Sequence, residues 1–210
     1  MDLSWFKYLF PGQTEKVEEE LRILKERKLA ADTKRILSYF TPTKSEQAIL
    51  NGLHPVIAPK VLKLLKNATF QNLYVILFQG IRTFQMQDDL YKQGRGPNGE
   101  IVDKSKVVTY AKPGTSWHNY GCAVDIVMND GPRPQIHPTW DDFIDANKDG
   151  VNDWMSMGQL GKELGFEWGG EFKEFIDVPH FQYHNGIVST KDALVMYNQG
   201  GLPEVWKHVS

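Results

Sequence analysis

The sequence predicts an α+β protein, with a central mainly antiparallel sheet, flanking helices and a helical N-terminal extension over residues 1–43. Three observations predict it. Apolar residues recur at helical spacing through residues 14–40. Short apolar runs at 73–78, 107–110 and 123–128 read as strands. Helical segments lie among these strands and after them. A chain of 210 residues holds one sizeable domain, or one domain with an appendage.

In the extension, Val17, Leu21, Leu24 and Leu29 form the apolar stripe, with Glu18, Glu19, Glu20, Lys25, Glu26 and Arg27 between them. Thr14 is the expected N-cap, and Thr41-Pro42-Thr43 ends the segment. The extension is expected to pack on the main domain or to dock to wall, membrane or partner. The main domain is expected over 44–210. Ser45 opens its first helix, which Pro55 and Pro59 interrupt, and Val61, Leu62, Leu64 and Leu65 mark where a buried helix resumes. Leu73–Phe78 is a buried strand, followed by Arg82-Thr83 and a helix through Gln85 to Tyr91. Gly94, Gly96, Pro97, Asn98 and Gly99 make a loop. Val107–Tyr110 and Ala123–Met128 are strands, Met155–Leu164 a helix, and Glu174–Tyr183 extended.

Composition excludes several classes. Hydrophobic residues make up 41% and charged residues 24%, as in a globular protein, and the net charge of -2 gives no positive field for nucleic acid. No apolar run reaches the roughly 20 residues that span a bilayer. The first ten residues lack the basic leader and cleavage site of a secretory signal. Cys122 is the one cysteine, so no internal disulfide forms; its neighbours Gly121, Ala123 and Val124 make it a small buried strand residue.

Chemistry concentrates in two clusters. The first is Ser116-Trp-His118-Asn-Tyr-Gly121-Cys-Ala-Val-Asp125, and the second is Asp177-Val-Pro-His180. His118 falls in a loop, Asp125 on an apolar strand, and Gly121 allows a tight turn between them. An aspartate between Val124 and Ile126 is costly unless paired or coordinated. His118, Asp125 and His180 supply three ligands for a zinc ion and leave a fourth position for water, the arrangement of a catalytic zinc. Asp177 is left to move protons, and a zinc-held water with its pKa near 7 is available to attack a carbonyl. Pro179 suits a sheet edge or the lip of a site, and the site is expected at one sheet edge. Arg82 follows a buried strand and precedes a helix, a common place for a site residue. Ser116 is a candidate contact to substrate. His184 is a candidate to replace or support His180.

These residues resemble the signature of zinc D,D-peptidases of the D-alanyl-D-alanine carboxypeptidase group. Within it, Gly80-Ile81-Arg82-Thr83, Gln87, Leu90-Tyr91, Gly94-Arg95 and Gly165-Phe166-Glu167-Trp168-Gly169-Gly170 are similar to the L-alanyl-D-glutamate endopeptidases of phage endolysins. The resemblance runs from about Ser45 to Tyr183. It implies a zinc enzyme that cuts the stem peptide of peptidoglycan, with His118, Asp125 and His180 as ligands, Asp177 as base, and Arg82 as a clamp on a stem carboxylate that also polarises the scissile carbonyl. It also favours His180 over His184, because His180 has an aspartate three residues earlier. The implied setting is synthesis in the host bacterial cytoplasm and action on the wall after holin-assisted release, as a monomer. The alternatives are a zinc D-alanyl-D-alanine carboxypeptidase, or a wall-binding or virion module without turnover.

A second metal is expected. Asp145, Asn147, Asp149, the Val151 carbonyl and Asp153 fall at alternate positions around Gly150, as in a calcium-binding EF-hand loop, while Ser156 stands where a bidentate glutamate belongs. Some phage peptidases of the resembling type carry such a loop. Calcium is therefore expected here, as a switch between a calcium-poor cytosol and a calcium-rich exterior.

Overall fold

A computed structural model of the chain describes Glu19, residues 22–27 and residues 40–210. The chain divides into two compact units, Met1–Thr41 and Pro42–Ser210. In the first unit Glu19 and residues 22–27 are helical, and Arg22 pairs with Glu19 and Glu26 across successive turns. Apart from residues 40–43, the rest of the expected extension, including the Thr14 cap, lies outside the described residues.

The second unit opens with helix α1, Lys44–Asn51. Thr43 caps it reciprocally: its hydroxyl accepts from the Glu46 N–H, and the Glu46 carboxylate accepts from the Thr43 N–H. The same carboxylate accepts from the Leu77 N–H and pairs with Arg133. One side chain thus fastens α1 to a strand and to a distant loop. Helix α2, Ile57–Phe70, buries Ile57, Val61, Leu64, Leu65 and Ala68. Pro59 does not interrupt it. The residue lies in the first turn, where its missing N–H would have had no partner.

The sheet consists of β1 (Val75–Gln79), β2 (Ala123–Asn129), β3 (Pro138–Thr139), β4 (Glu167–Trp168) and β5 (His180–Gln182). All pairings are antiparallel, in the order β1-β2-β5-β4, with β3 on the far end of β2. Helices α3 (Phe84–Tyr91), α4 (Asp153–Glu163) and α5 (Thr190–Trp206) complete the unit, α5 being broken at Gly200 and Gly201. β2 is buried along both faces, with Asp125 the exception. That explains its unbroken apolar character. Cys122 is buried just before it, and burial pushes its thiol up to about 12, as befits a packing residue.

Three expectations change. Val107–Tyr110 forms no strand; Val108 and Tyr110 are exposed, and the segment runs along a cleft. Of the extended stretch 174–183, only His180–Gln182 joins the ladder. β5 lies between β2 and β4, so the site sits inside the sheet and not at its edge. Pro179 lacks a donor, but its carbonyl accepts from the Ile126 N–H at 2.9 Å and carries the pairing onward.

The end of α5 closes on the turn that carries His118. Trp206 Nε1 donates to the Tyr120 carbonyl at 2.7 Å, and the His54 ring nitrogen Nε2 meets the Trp206 carbonyl at 2.9 Å. The His54 N–H donates to the Gly121 carbonyl, completing a three-way clasp.

Candidate metal centre

Each of the three expected ligands is held by a different device. His118 lies on a 3₁₀ turn, Trp117–Tyr120, which ends at Gly121 with φ of 68°. A Cβ at Gly121 would lie 3.1 Å from the Gly52 carbonyl oxygen, so conformation and space both call for glycine. The turn is laced to the loop after β1, because Arg82 N–H donates to the His118 carbonyl and Asn119 Nδ2 to the Arg82 carbonyl. Asp125 is on β2, and His180 opens β5 directly opposite it in register.

The side chains converge. His118 Nε2 lies 3.1 Å from Asp125 Oδ1 and 3.2 Å from His180 Nδ1, and His180 Nδ1 lies 3.3 Å from Asp125 Oδ1. Four-coordinate zinc with ligands at about 2.0–2.1 Å requires ligand atoms roughly 3.3 Å apart. The triangle fits that requirement. His118 Nδ1 donates to the Gly80 carbonyl at 2.7 Å, which leaves the lone pair of the neutral ring on Nε2, facing the other two atoms. His118 is only 2% exposed. Among the described residues, this is the group of His, Cys, Asp and Glu side chains arranged to hold a metal ion.

The surrounding charges are strongly coupled. Burial alone would raise the Asp125 carboxyl, but His118 and His180 against it hold it well below the usual carboxylate range. Burial alone would lower His180, and Asp125 reverses that, raising it. Asp177 shifts upward, mainly through burial with a contribution from Asp125, against the pull of His180, His118 and Arg82. Its turn depends on Gly169. The Gly169 carbonyl accepts the Asp177 N–H, and a Cβ on Gly169 would lie 2.3 Å from the Asp177 carbonyl oxygen.

Arg82 is 7% exposed, and its guanidinium meets Gln87 at 2.8 Å, Asp125 Oδ2 at 3.3 Å and Gln79. It therefore holds the Asp125 carboxylate from behind, and its Nε is buried without a partner. Arg82, Ser116, Asp177 and the triangle line one cleft of about 920 Å³. Its rim carries Tyr110 against Phe175 and Phe78 against Trp140, in edge-on ring contacts.

His184 does not join this group. Its ring stacks on Trp117 at 4.0 Å, and its Nε2 lies 3.1 Å from Glu167. The loop of Asp145, Asn147, Asp149, Val151 and Asp153 does not line the cleft. Its side-chain oxygens turn inward: Asp145 accepts from Asp149 and Gly150, Asn147 from Asp149, and Asp149 from Val151. Asp153 is 1% exposed; its Oδ2 accepts from the Ala146 N–H, and its Oδ1 has no partner. Burial raises the Asp153 carboxyl, and Asp145 and Asp149 add to that rise.

Several supporting residues escaped the sequence reading. Gln79 stands across from Asp125 in the β1–β2 register, and Gln182 follows His180 by two residues on the same strand face. The period-two rule is the signal that would have found Gln182. Nothing local pointed to its contact with Glu167 on β4.

A family model described as D-alanyl-D-alanine carboxypeptidase matches residues 109–183. The peptidoglycan L-alanyl-D-glutamate endopeptidase CwlK of Bacillus subtilis is 38% identical over 137 residues, which cover 65% of this chain and 77% of that protein. Among solved structures, the Serratia marcescens L-Ala D-Glu endopeptidase ChiX aligns at a TM-score of 0.45 and 21% identity, over 75% of this chain and 96% of that one. VanYB in complex with D-alanine-D-alanine aligns at 0.44 and 21%, over 74% and 82%.

Proposed function

Because this chain belongs to the D-alanyl-D-alanine carboxypeptidase family of peptidases, we propose that it is a zinc-dependent endopeptidase that cuts the L-alanyl-D-glutamate bond of peptidoglycan stems. The observation that carries the zinc part is the triangle of His118 Nε2, Asp125 Oδ1 and His180 Nδ1, with edges of 3.1–3.3 Å. These three residues would hold the ion. A bound zinc lowers the pKa of water to about 7 and polarises a carbonyl. The choice of bond is supported by the relative from Bacillus subtilis, which carries that activity in its name.

The chain's own residues divide the remaining work. Asp177, on the same cleft and shifted upward by burial, accepts the proton of the attacking water and returns it to the leaving amine. Arg82 holds Asp125 through Oδ2 and presents positive charge where a stem carboxylate or the developing oxyanion is expected. Ser116, on the cleft wall beside His118, is assigned to substrate contact. The aromatic rim shields the reacting bond from bulk water.

Digesting purified muropeptides and weighing the products tests this reading. Release of the stem at L-alanine supports it. Loss of a single terminal D-alanine would assign the same metal site to a carboxypeptidase.

Calcium at residues 145–153 belongs to the same proposal. It is supported by the Asp153 Oδ1 atom, buried without a partner beside Asp145 and Asp149. The lytic role in phage release, with the 44–210 segment as the catalytic part, rests on the resemblance of the motifs. It is tested by whether expression together with a holin lyses the host.

A further inference from the structure

The His180 ring touches the metal triangle with Nδ1, so its proton must sit on the other nitrogen for Nδ1 to act as a ligand. His180 Nε2 lies 3.0 Å from Gln182 Oε1. A glutamine amide is ambiguous by itself, since either end can face a ring nitrogen. Here the ambiguity is removed from the far side: Gln182 Nε2 donates to Glu167 Oε2 at 2.7 Å. A carboxylate offers only acceptors, so the NH₂ end must point at Glu167 and the carbonyl end at His180. A carbonyl in turn accepts only from a protonated ring nitrogen.

We propose that Glu167 and Gln182 form a two-residue relay of hydrogen bonds that fixes the tautomer of His180, making both of them positioning residues for the metal centre. The register places them for this task. Glu167 is paired with Gln182 across β4 and β5, and Gln182 is two residues beyond His180 on the same face. Glu167 is pinned from its other side, because His184 Nε2 lies 3.1 Å from Oε1. That gives His184 a place at the outer end of the relay and not at the metal. The two histidine ligands are thus oriented by different means: His118 by a backbone carbonyl, which no substitution removes, and His180 by side chains, which substitution can.

This proposal rests on the zinc reading above but is separable from it. In Gln182→Met the amide is lost with little change in length. Zinc affinity, measured by chelator competition, is expected to fall about 10–100-fold, the usual cost of losing such a partner. In the metal-free protein at mildly alkaline pH, two-bond ¹H–¹⁵N correlation should show His180 protonated on Nε2 in the parent, and on Nδ1 or mixed in the variant. The double variant Glu167→Gln with Gln182→Glu reverses the polarity of the lateral hydrogen bond while keeping an acceptor toward His180. It should return the tautomer and bring the affinity to within a few-fold of the parent. Unchanged affinity and tautomer in Gln182→Met overturn the relay. Should that variant not fold, a folded double variant that has lost zinc affinity 10-fold or more overturns it equally. A parent protein that binds no zinc refutes the metal reading alone, since the tautomer of metal-free His180 still decides the role of Gln182.

Discussion

Asp125 and His180 stand directly opposite each other in the β2–β5 ladder, and their side chains meet at 3.3 Å on one face of the sheet. Cross-strand neighbours are the closest side-chain pairs a sheet offers. Two of the three converging side chains are therefore placed by the hydrogen bonds of the backbone, and the third, His118, is delivered by a turn clamped from two sides.

If these donors hold zinc, His180→Ala or Asp125→Ala should purify with a metal content near zero where the parent approaches one ion per chain. Hydrolysis should fall to background, and zinc added back should restore a chelated parent but neither variant. Full metal content in both variants would refute the assignment.

Asp177→Asn separates base from ligand. Zinc content should stay at the parent level while kcat falls about 10²–10⁴-fold, the usual contribution of a positioned proton acceptor. A parallel loss of metal would instead make Asp177 a ligand.

Gly169→Ala carries the prediction one step back from the chemistry. The added methyl would sit 2.3 Å from the Asp177 carbonyl oxygen, so the turn must shift. Overpacking of this kind costs about 1–3 kcal/mol. Urea unfolding should register that loss, and muropeptide turnover should drop more than zinc binding does. Equal losses in the two would show that the turn does not set Asp177 apart.

Glu46 makes folding sensitive to acid. Burial would raise its carboxyl, yet Arg133 and the Thr43 and Leu77 N–H groups outweigh that and hold it below the ordinary value. A carboxyl whose folded pKa is depressed adds stability above the unfolded pKa, near 4.3, and loses it as pH falls through the folded value. Glu46→Gln should therefore cost about 1–3 kcal/mol at pH 7, with the gap narrowing below about pH 4. Denaturant titrations of both proteins at the two pH values check the sign; a gap that widens in acid would contradict it.

Calcium binding should raise the melting temperature in proportion to the logarithm of ligand concentration above Kd. Asp153→Asn and Asp145→Ala should abolish that rise. A parent whose melting point ignores millimolar calcium would leave the loop a plain turn closed by its own backbone.

The convergence of His118, Asp125 and His180 could be anticipated from the sequence in part because the cost of Asp125 is local. A charged residue inside Val124–Ile126 must be compensated somewhere, and that much can be inferred from neighbours alone. The helices at 57–70, 84–91 and 153–163 and the strand at 75–79 were legible through period and length. Strand order was not, since residue pattern reports how buried a segment is and not which strand it pairs with. That is why β5 was expected at an edge. Val107–Tyr110 misled for a related reason: its apolar residues cover a cleft wall, where Tyr110 meets Phe175, and no ladder is involved. Ser45 was the expected opening of the first helix, whereas Thr43 and Glu46 form its capping box, a four-residue signature present in the sequence but not used. The second use of Glu46, holding Leu77 and Arg133, spans the fold and leaves no local mark.

The clasp of His54, Tyr120 and Trp206 sets an order of events during synthesis. Translation runs from the amino end, so the turn bearing His118 is made long before its partner Trp206 leaves the ribosome. Until then Tyr120 and His54 each lack a bond they have in the finished fold. Assembly of the frame around His118 is thereby deferred until Trp206 has emerged, so a nascent chain that has passed His180 but not Trp206 carries His118, Asp125 and His180 without the frame that aligns them.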